Sequence, residues 1–246
     1  MKIEIYFTPQ EFNEERLKDQ IAVVVDVLRS STTICAAMAA GAKEIIPAES
    51  VSSAIELASN LSKDAILLCG EREGKLVQGF HLGNSPLEYT SEAVKGKTLI
   101  FGSTNGSPTM VKTRLARRTL ISAFVNQSSV VDSLAAASDP IHIICAGKLG
   151  QFALEDAVCA GYILSELQAR GSGRLELSDA ATAALLLFQQ FKDSLADLVA
   201  QSHHGRYLAG IGMEADLPFC AEVNRIPVLP VYKDGKIRLI KEKASR

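Results

Sequence analysis

An aspartate, an arginine and four hydroxyls stand together early in the chain, in the run Asp26-Val-Leu-Arg-Ser-Ser-Thr-Thr33. Asp26 follows the apolar Val23-Val24-Val25, where a charge is expensive to bury unless it is paired or bound to a cation. Arg29 and the hydroxyls of Ser30, Ser31, Thr32 and Thr33 stand where a helix should begin. A helix start offers free amide donors and partial positive charge, which suits a phosphate group. A structural reading stands beside this one: Ser30 or Ser31 caps the helix and Asp26 pairs with Arg29. A cap needs one hydroxyl, and four are present.

Two further junctions share this form, a buried strand running through small polar residues into a helix. They are Gly102-Ser-Thr-Asn-Gly-Ser107, with Thr104, Asn105 and Gly106 at its centre, and Ala146-Gly-Lys-Leu-Gly-Gln151, with Lys148. Past the latter come Glu155 and Asp156, which either answer a helix dipole or offer oxygen to a hard cation such as Mg2+. Between the first two junctions lie Gly70-Glu-Arg-Glu-Gly74 and a long glycine-rich stretch, together contributing Glu71, Arg72, Asn84 and Ser85. Long loops within a compact domain are usually functional or disordered, and the interspersed Phe80, Leu82 and Leu87 argue for order.

Other matches carry less. Gly210-Ile-Gly212-Met-Glu-Ala215 has dinucleotide-fingerprint spacing but follows a helical stretch instead of a strand. His203 and His204 are neighbours, which on a helix point roughly 100° apart and make a poor metal pair. His142 sits inside a strand pattern. No Gly-x-Ser-x-Gly elbow is present, and Asp26 lacks the aspartate two residues on that marks haloacid-dehalogenase phosphatases.

The elements that must position these residues alternate. Short β-branched runs at 21–28, 45–46, 65–69, 98–101, 119–123 and 141–145 read as strands, with Met1 to Ile5 a further strand pattern. Ala/Leu-rich stretches at 33–42, 51–61, 108–117, 127–137 and 154–170 read as helices, the second led by Ser50 as N-cap. The region 178–209 is helical, and 228–240 reads as a hairpin turning at Asp234-Gly235. The fold class is therefore α/β: a mainly parallel sheet flanked by helices, with a C-terminal β-hairpin. All three junctions then emerge at the carboxyl edge of the sheet, where such folds bind ligands. The whole chain, 1–246, is expected to form one domain, with Gly171-Ser172-Gly173 the best sub-boundary.

A formal net charge of −2 gives no global field for nucleic acid or an anionic membrane, so any anion must be caught by local donors. No apolar run reaches the roughly 20 residues of a transmembrane helix, and the N-terminus lacks a signal-peptide core, so a cytoplasmic location is expected. The five cysteines, odd in number and without a Cys-x-x-Cys pair, are expected as buried reduced thiols.

The runs Val25-Asp-Val-Leu-Arg-Ser-Ser-Thr-Thr33, Gly41-Ala-Lys-Glu-Ile-Ile-Pro-Ala-Glu49, Cys69-Gly-Glu-Arg-Glu-Gly74, Gly83-Asn-Ser-Pro-Leu-Glu-Tyr89 and Ser103-Thr-Asn-Gly106 resemble the motifs of 2-phosphosulfolactate phosphatases. The run from Cys145-Ala-Gly-Lys to Leu154-Glu-Asp-Ala157 fits the same pattern. The resemblance implies Mg2+-dependent hydrolysis of 2-phospho-3-sulfolactate to 3-sulfolactate and phosphate, a step of coenzyme M biosynthesis in methanogens. On the matching positions, Asp26, Glu71 and Glu155 or Asp156 are the expected metal ligands, and Asp26, Arg29 and Glu71 the expected catalytic residues. Ser30 to Thr33 and Thr104-Asn105-Gly106 are expected to hold the phosphoryl group, Asn84 and Ser85 to join the substrate site, and Arg72 and Lys148 to meet the carboxylate and sulfonate. The expected partner is a small anionic organic phosphate, with homo-oligomerisation left open. A non-catalytic sensor of anionic metabolites and a nucleotide-dependent transferase remain as rival readings.

Overall fold

The structure is a computed structural model that describes residues 1–61, 65–137, 139–171 and 175–240. Among these, the β-branched runs form one eleven-stranded sheet in the order β5-β4-β6-β3-β11-β10-β7-β2-β8-β1-β9. The strands are β1 (Lys2–Tyr6), β2 (Ile21–Val25), β3 (Glu44–Ala48), β4 (Ile66–Arg72), β5 (Lys75–Leu76), β6 (Thr98–Gly102), β7 (Arg118–Ser122), β8 (Ile141–Cys145), β9 (Glu176–Leu177), β10 (Pro230–Lys233) and β11 (Lys236–Leu239). The helices are α1 (Ser30–Ala39), α2 (Val51–Ser59), α3 (Ser91–Val94), α4 (Gly106–Lys112), α5 (Gln127–Ala135), α6 (Leu154–Ala169), α7 (Asp179–Phe191), α8 (Leu195–Gln201), α9 (His203–Gly210) and α10 (Asp216–Ala221).

The expected α/β class holds, and the sheet is built from two parallel halves. One joins β4, β6 and β3; the other joins β7, β2, β8, β1 and β9. The C-terminal hairpin lies between them, β10 antiparallel to β7 and β11 antiparallel to β3. Its turn falls at Asp234 and Gly235 as expected, both at positive φ (51° and 76°), the conformation a two-residue type I′ turn requires. The hairpin is thus the middle of the sheet, and its three antiparallel pairings leave the two halves running in opposite directions.

Strand β2 shows why the sheet is covered on both faces. Val23 and Val25 pack into a core with Val131 of α5, Ile163 of α6 and Ala184 of α7. Val24 points into another core with Ile34 and Met38 of α1, Phe101 of β6 and Ile237 of β11. A parallel strand buried on both faces needs a continuous apolar run. The run stops at Val25, however, three residues earlier than the sequence pattern suggested, and α1 starts at Ser30 instead of Thr33. The helical region at 178–209 is broken into α7, α8 and α9, with Ser202 capping the last by accepting a hydrogen bond from Gly205 N at 2.9 Å. The candidate boundary is only partly visible, since Ser172 and Gly173 lie outside the described residues; α6 before it and α7 after it pack in the same core. All five cysteines are free and buried.

Candidate active site

The loops past β2 and β8 leave one half of the sheet and those past β4 and β6 leave the half that runs the opposite way, so the sequence expectation of one shared carboxyl edge does not hold. The four loops nevertheless meet at one cavity, and Asp26 is the first residue past β2. Its Oδ1 accepts a hydrogen bond from Ser30 N at 3.1 Å, and its carbonyl accepts one from Ser31 N at 3.0 Å. The first free amide of α1 is therefore satisfied by this carboxylate. Gly106 presses on the other oxygen, and a β-carbon there would sit 2.4 Å from Asp26 Oδ2. Only a residue without a side chain fits. Asp26 is 3% exposed. Burial pushes its carboxyl up from 3.8 to about 6; nearby His204 and the hydrogen bonds from Ser30 pull it down, and the charge of Glu71 pushes it up.

Arg29 is not the partner of Asp26. Its Nη1 donates to Asp216 Oδ2 at 2.6 Å and its Nη2 to Gly74 O at 2.7 Å. Both members of the Arg29–Asp216 pair are 2% exposed. Asp216 Oδ1 in turn accepts from Ser85 Oγ at 2.5 Å. Ser85 thus serves the guanidinium at second hand, holding the carboxylate that holds it. Buried ion pairs survive when their remaining donors and acceptors are filled in this way.

Glu71 fastens loops together. Its Oε1 accepts from Thr104 N at 2.7 Å and its Oε2 from Gly74 N at 2.7 Å. This strap draws the end of β4 against the β6 loop, where Gly70, at φ +141°, lies so close that a β-carbon would meet Gly102 O at 1.9 Å. Asn105 continues the chain of loops, its Oδ1 accepting from Leu149 N at 2.9 Å. Asp156 fastens the β2 and β8 loops, Oδ1 accepting from Val27 N at 2.8 Å and Oδ2 from Gly147 N at 3.1 Å. Burial, with Glu155 and Asp26 adding to it, pushes the Asp156 carboxyl far up.

These loops enclose a cavity of about 620 Å³ with Asp26, Glu71 and Glu73 as its acids and Arg29, Arg72 and Lys148 as its cations. Ser30, Asn84, Thr104 and Asn105 also reach it. Lys148 rests its Nζ 3.9 Å from the centroid of Tyr207, and burial pushes its pKa down while Glu155 works against that.

The other expected residues are placed differently. Ser31, Thr32 and Thr33 are inside α1, fully buried, with hydroxyls donating to Val24 O (3.5 Å), Val27 O (2.8 Å) and Asn84 O (2.7 Å). Serine and threonine hydroxyls readily bond nearby carbonyls, and here that removes them from the cavity. Gly106 makes room for Asp26 instead of lining the wall. Glu155 faces His204 from α6, its Oε1 3.4 Å from Nδ1. The four carboxylates Asp26, Glu71, Glu155 and Asp156 therefore do not form one cage, and among the described residues no group of three or more His, Cys, Asp or Glu is arranged to hold a metal.

A sparser cation site does fit. Asn84 Oδ1 and Thr104 Oγ1 are buried without a hydrogen-bond partner, and both residues line the cavity with Asp26. One carboxylate and two neutral oxygens suit a hard cation such as Mg2+, which keeps several waters and shares substrate oxygens. Asp216 and Tyr207, missed in the sequence, and His203 and His204, weighed there only as a metal pair and set aside, complete the site. Ser202 directly before two histidines is the cap signal that could have drawn attention to the last three.

Fold and cavity define an α/β protein with a cation-rich cavity built from the loops past β2, β4, β6 and β8. The model of the 2-phosphosulpholactate phosphatase family matches residues 6–235. The chain is 41% identical over 226 residues to a probable 2-phosphosulfolactate phosphatase of Symbiobacterium thermophilum, covering 92% of this chain and 97% of that protein. Proteins of the same name from Caldanaerobacter subterraneus (36% over 238 residues; 97% and 98% covered) and Clostridium beijerinckii (35% over 237 residues; 96% and 99% covered) are also similar to it. The chain belongs to the 2-phosphosulfolactate phosphatase family, and by that membership is a phosphoric monoester hydrolase. No described helix is long and apolar enough to cross a membrane.

Proposed function

We propose that this protein hydrolyses 2-phospho-3-sulfolactate to 3-sulfolactate and phosphate, with Mg2+ as cofactor. The observation that carries the reading is the joining of one high-lying buried carboxylate, Asp26, to three cations in a single cavity large enough for a small organic phosphate. The proposed substrate bears phosphate, carboxylate and sulfonate, so cations on several sides match its charges.

Arg29 is the natural phosphoryl contact. Asp216 and Gly74 fix its fork, so its remaining donors are aimed before the ligand arrives. Arg72 is steadied through its bond to Glu71 O at 2.7 Å, and Lys148 by the ring of Tyr207; these two would receive the carboxylate and sulfonate. Mg2+, held by Asp26 with Asn84 Oδ1 and Thr104 Oγ1, would supply charge neutralisation at the phosphoryl oxygens. Glu71 keeps Thr104 in position through its backbone. Asp156 does the same for the loop carrying Lys148.

Phosphate release from 2-phosphosulfolactate, 2-phospholactate and 2-phosphoglycerate, each with Mg2+ and with chelator, tests the reading. A preference for phosphosulfolactate that falls on Lys148→Ala is expected. Equal release from all three would remove the sulfonate from the proposal, and binding without release would make the protein a sensor.

A further inference from the structure

His204 belongs to no expected role, yet α9, the helix that carries it, is tied firmly to its surroundings. Ser202, buried, fixes the start of α9. Gly205 lies so close to α8 that a β-carbon would stand 1.9 Å from Val199 O. Further along α9, Tyr207 donates to Glu73 O at 3.0 Å and ties the helix across the cavity mouth. The imidazole Nδ1 faces Glu155 Oε1 at 3.4 Å, and the Glu155 side chain is only 2% exposed. With Nδ1 turned to a carboxylate, the opposite nitrogen Nε2 is left for the cavity that His204 lines.

Hydrolysis of an alkyl phosphate expels an alkoxide, which needs a proton. Arg29 and Arg72 hold theirs too tightly to give one up. The Lys148 ammonium lies against the Tyr207 ring. Asp26, under the reading above, acts as an anion. An imidazole can give a proton from one ring nitrogen and take one back, and a carboxylate at the other nitrogen orients the ring.

We infer that His204 protonates the leaving oxygen, with Glu155 as the positioning residue behind it; the inference rests on the phosphatase reading. Water forms the new bond to phosphorus, and the ester P–O bond breaks with its electron pair on the leaving oxygen. That oxygen takes the Nε2 proton and departs as the alcohol. The proton lost by the attacking water returns to the imidazole through solvent.

The test compares His204→Asn with the wild type, both with Mg2+, on 2-phosphosulfolactate and on p-nitrophenyl phosphate, whose phenolate leaves without a proton. The expected kcat loss is on the order of 10²–10⁴-fold for the alkyl ester, the usual contribution of a positioned acid. The aryl ester should lose less than about tenfold. Equal losses on both esters, or no loss on the alkyl ester, overturn the inference. Should His204→Asn fail to fold, Glu155→Gln gives the same comparison. A loss of roughly 10-fold or more confined to the alkyl ester, with KM unchanged, supports the pair; a uniform loss overturns it. A wild type that cleaves neither ester would instead overturn the phosphatase reading itself and this inference with it.

Discussion

Asp26→Asn should make the metal-free protein more stable while removing its activity. Burial raises the Asp26 carboxyl from 3.8 to about 6. Between those two pH values the folded protein binds more protons at this group than the unfolded chain does. Stability therefore falls as pH rises through that window, and the full cost is present above about pH 6. At about 1.4 kcal/mol per pH unit, that cost is about 3 kcal/mol. Asparagine keeps an oxygen for Ser30 N, which now lies 3.1 Å from Oδ1, and the charge assistance it gives up is already contained in the value of about 6. The net gain should be about 3 kcal/mol at pH 8 in chelator. For a chain of this size that corresponds to a Tm roughly 6–12 °C higher. At pH 4 the wild-type carboxyl is largely protonated, and the difference should shrink towards zero. Thermal melts of both proteins at the two pH values check this. A variant less stable at pH 8, or a Tm difference independent of pH, would refute the electrostatic reasoning.

Asp216→Ala leaves Arg29 buried without its carboxylate; unfolding in urea should show a loss of about 3–5 kcal/mol, with kcat/KM falling as the guanidinium loses its aim. Thr33→Val removes the 2.7 Å bond to Asn84 O; it should cost about 1–3 kcal/mol in stability and leave kcat within about twofold, whereas a large kcat loss would return the hydroxyl run to the phosphate site. Gly106→Ala forces a β-carbon against Asp26 Oδ2 and Ser30, and displacing Asp26 by even about 1 Å should lower kcat on the order of 10²-fold.

Part of the candidate site was legible because its signal is local. A strand of valines ending in Asp26 is costly unless the charge is used, and the β2 and β8 loops leave neighbouring parallel strands. That the β4 and β6 loops join them from a half running the opposite way has no local mark in the sequence. Ser31, Thr32 and Thr33 misled for a physical reason: four hydroxyls in a row look like an anion cradle, but inside α1 three of them bond carbonyls of neighbouring chain. Asp216 and His204 stayed hidden because their meaning lies in partners distant in sequence, Arg29 and Glu155. The central position of the β10–β11 hairpin was equally invisible. Alternation marks a hairpin, but nothing local marks β3 and β7 as the strands it joins.

The most direct test of the central claim is phosphate release from 2-phosphosulfolactate by wild-type protein and Asp26→Asn, each with Mg2+ and with chelator. The expected result is release by the wild type with Mg2+ alone, lost in chelator and reduced on the order of 10²-fold or more in Asp26→Asn, a protein that still melts cooperatively. Release that survives chelation, or near wild-type turnover by Asp26→Asn, would contradict it.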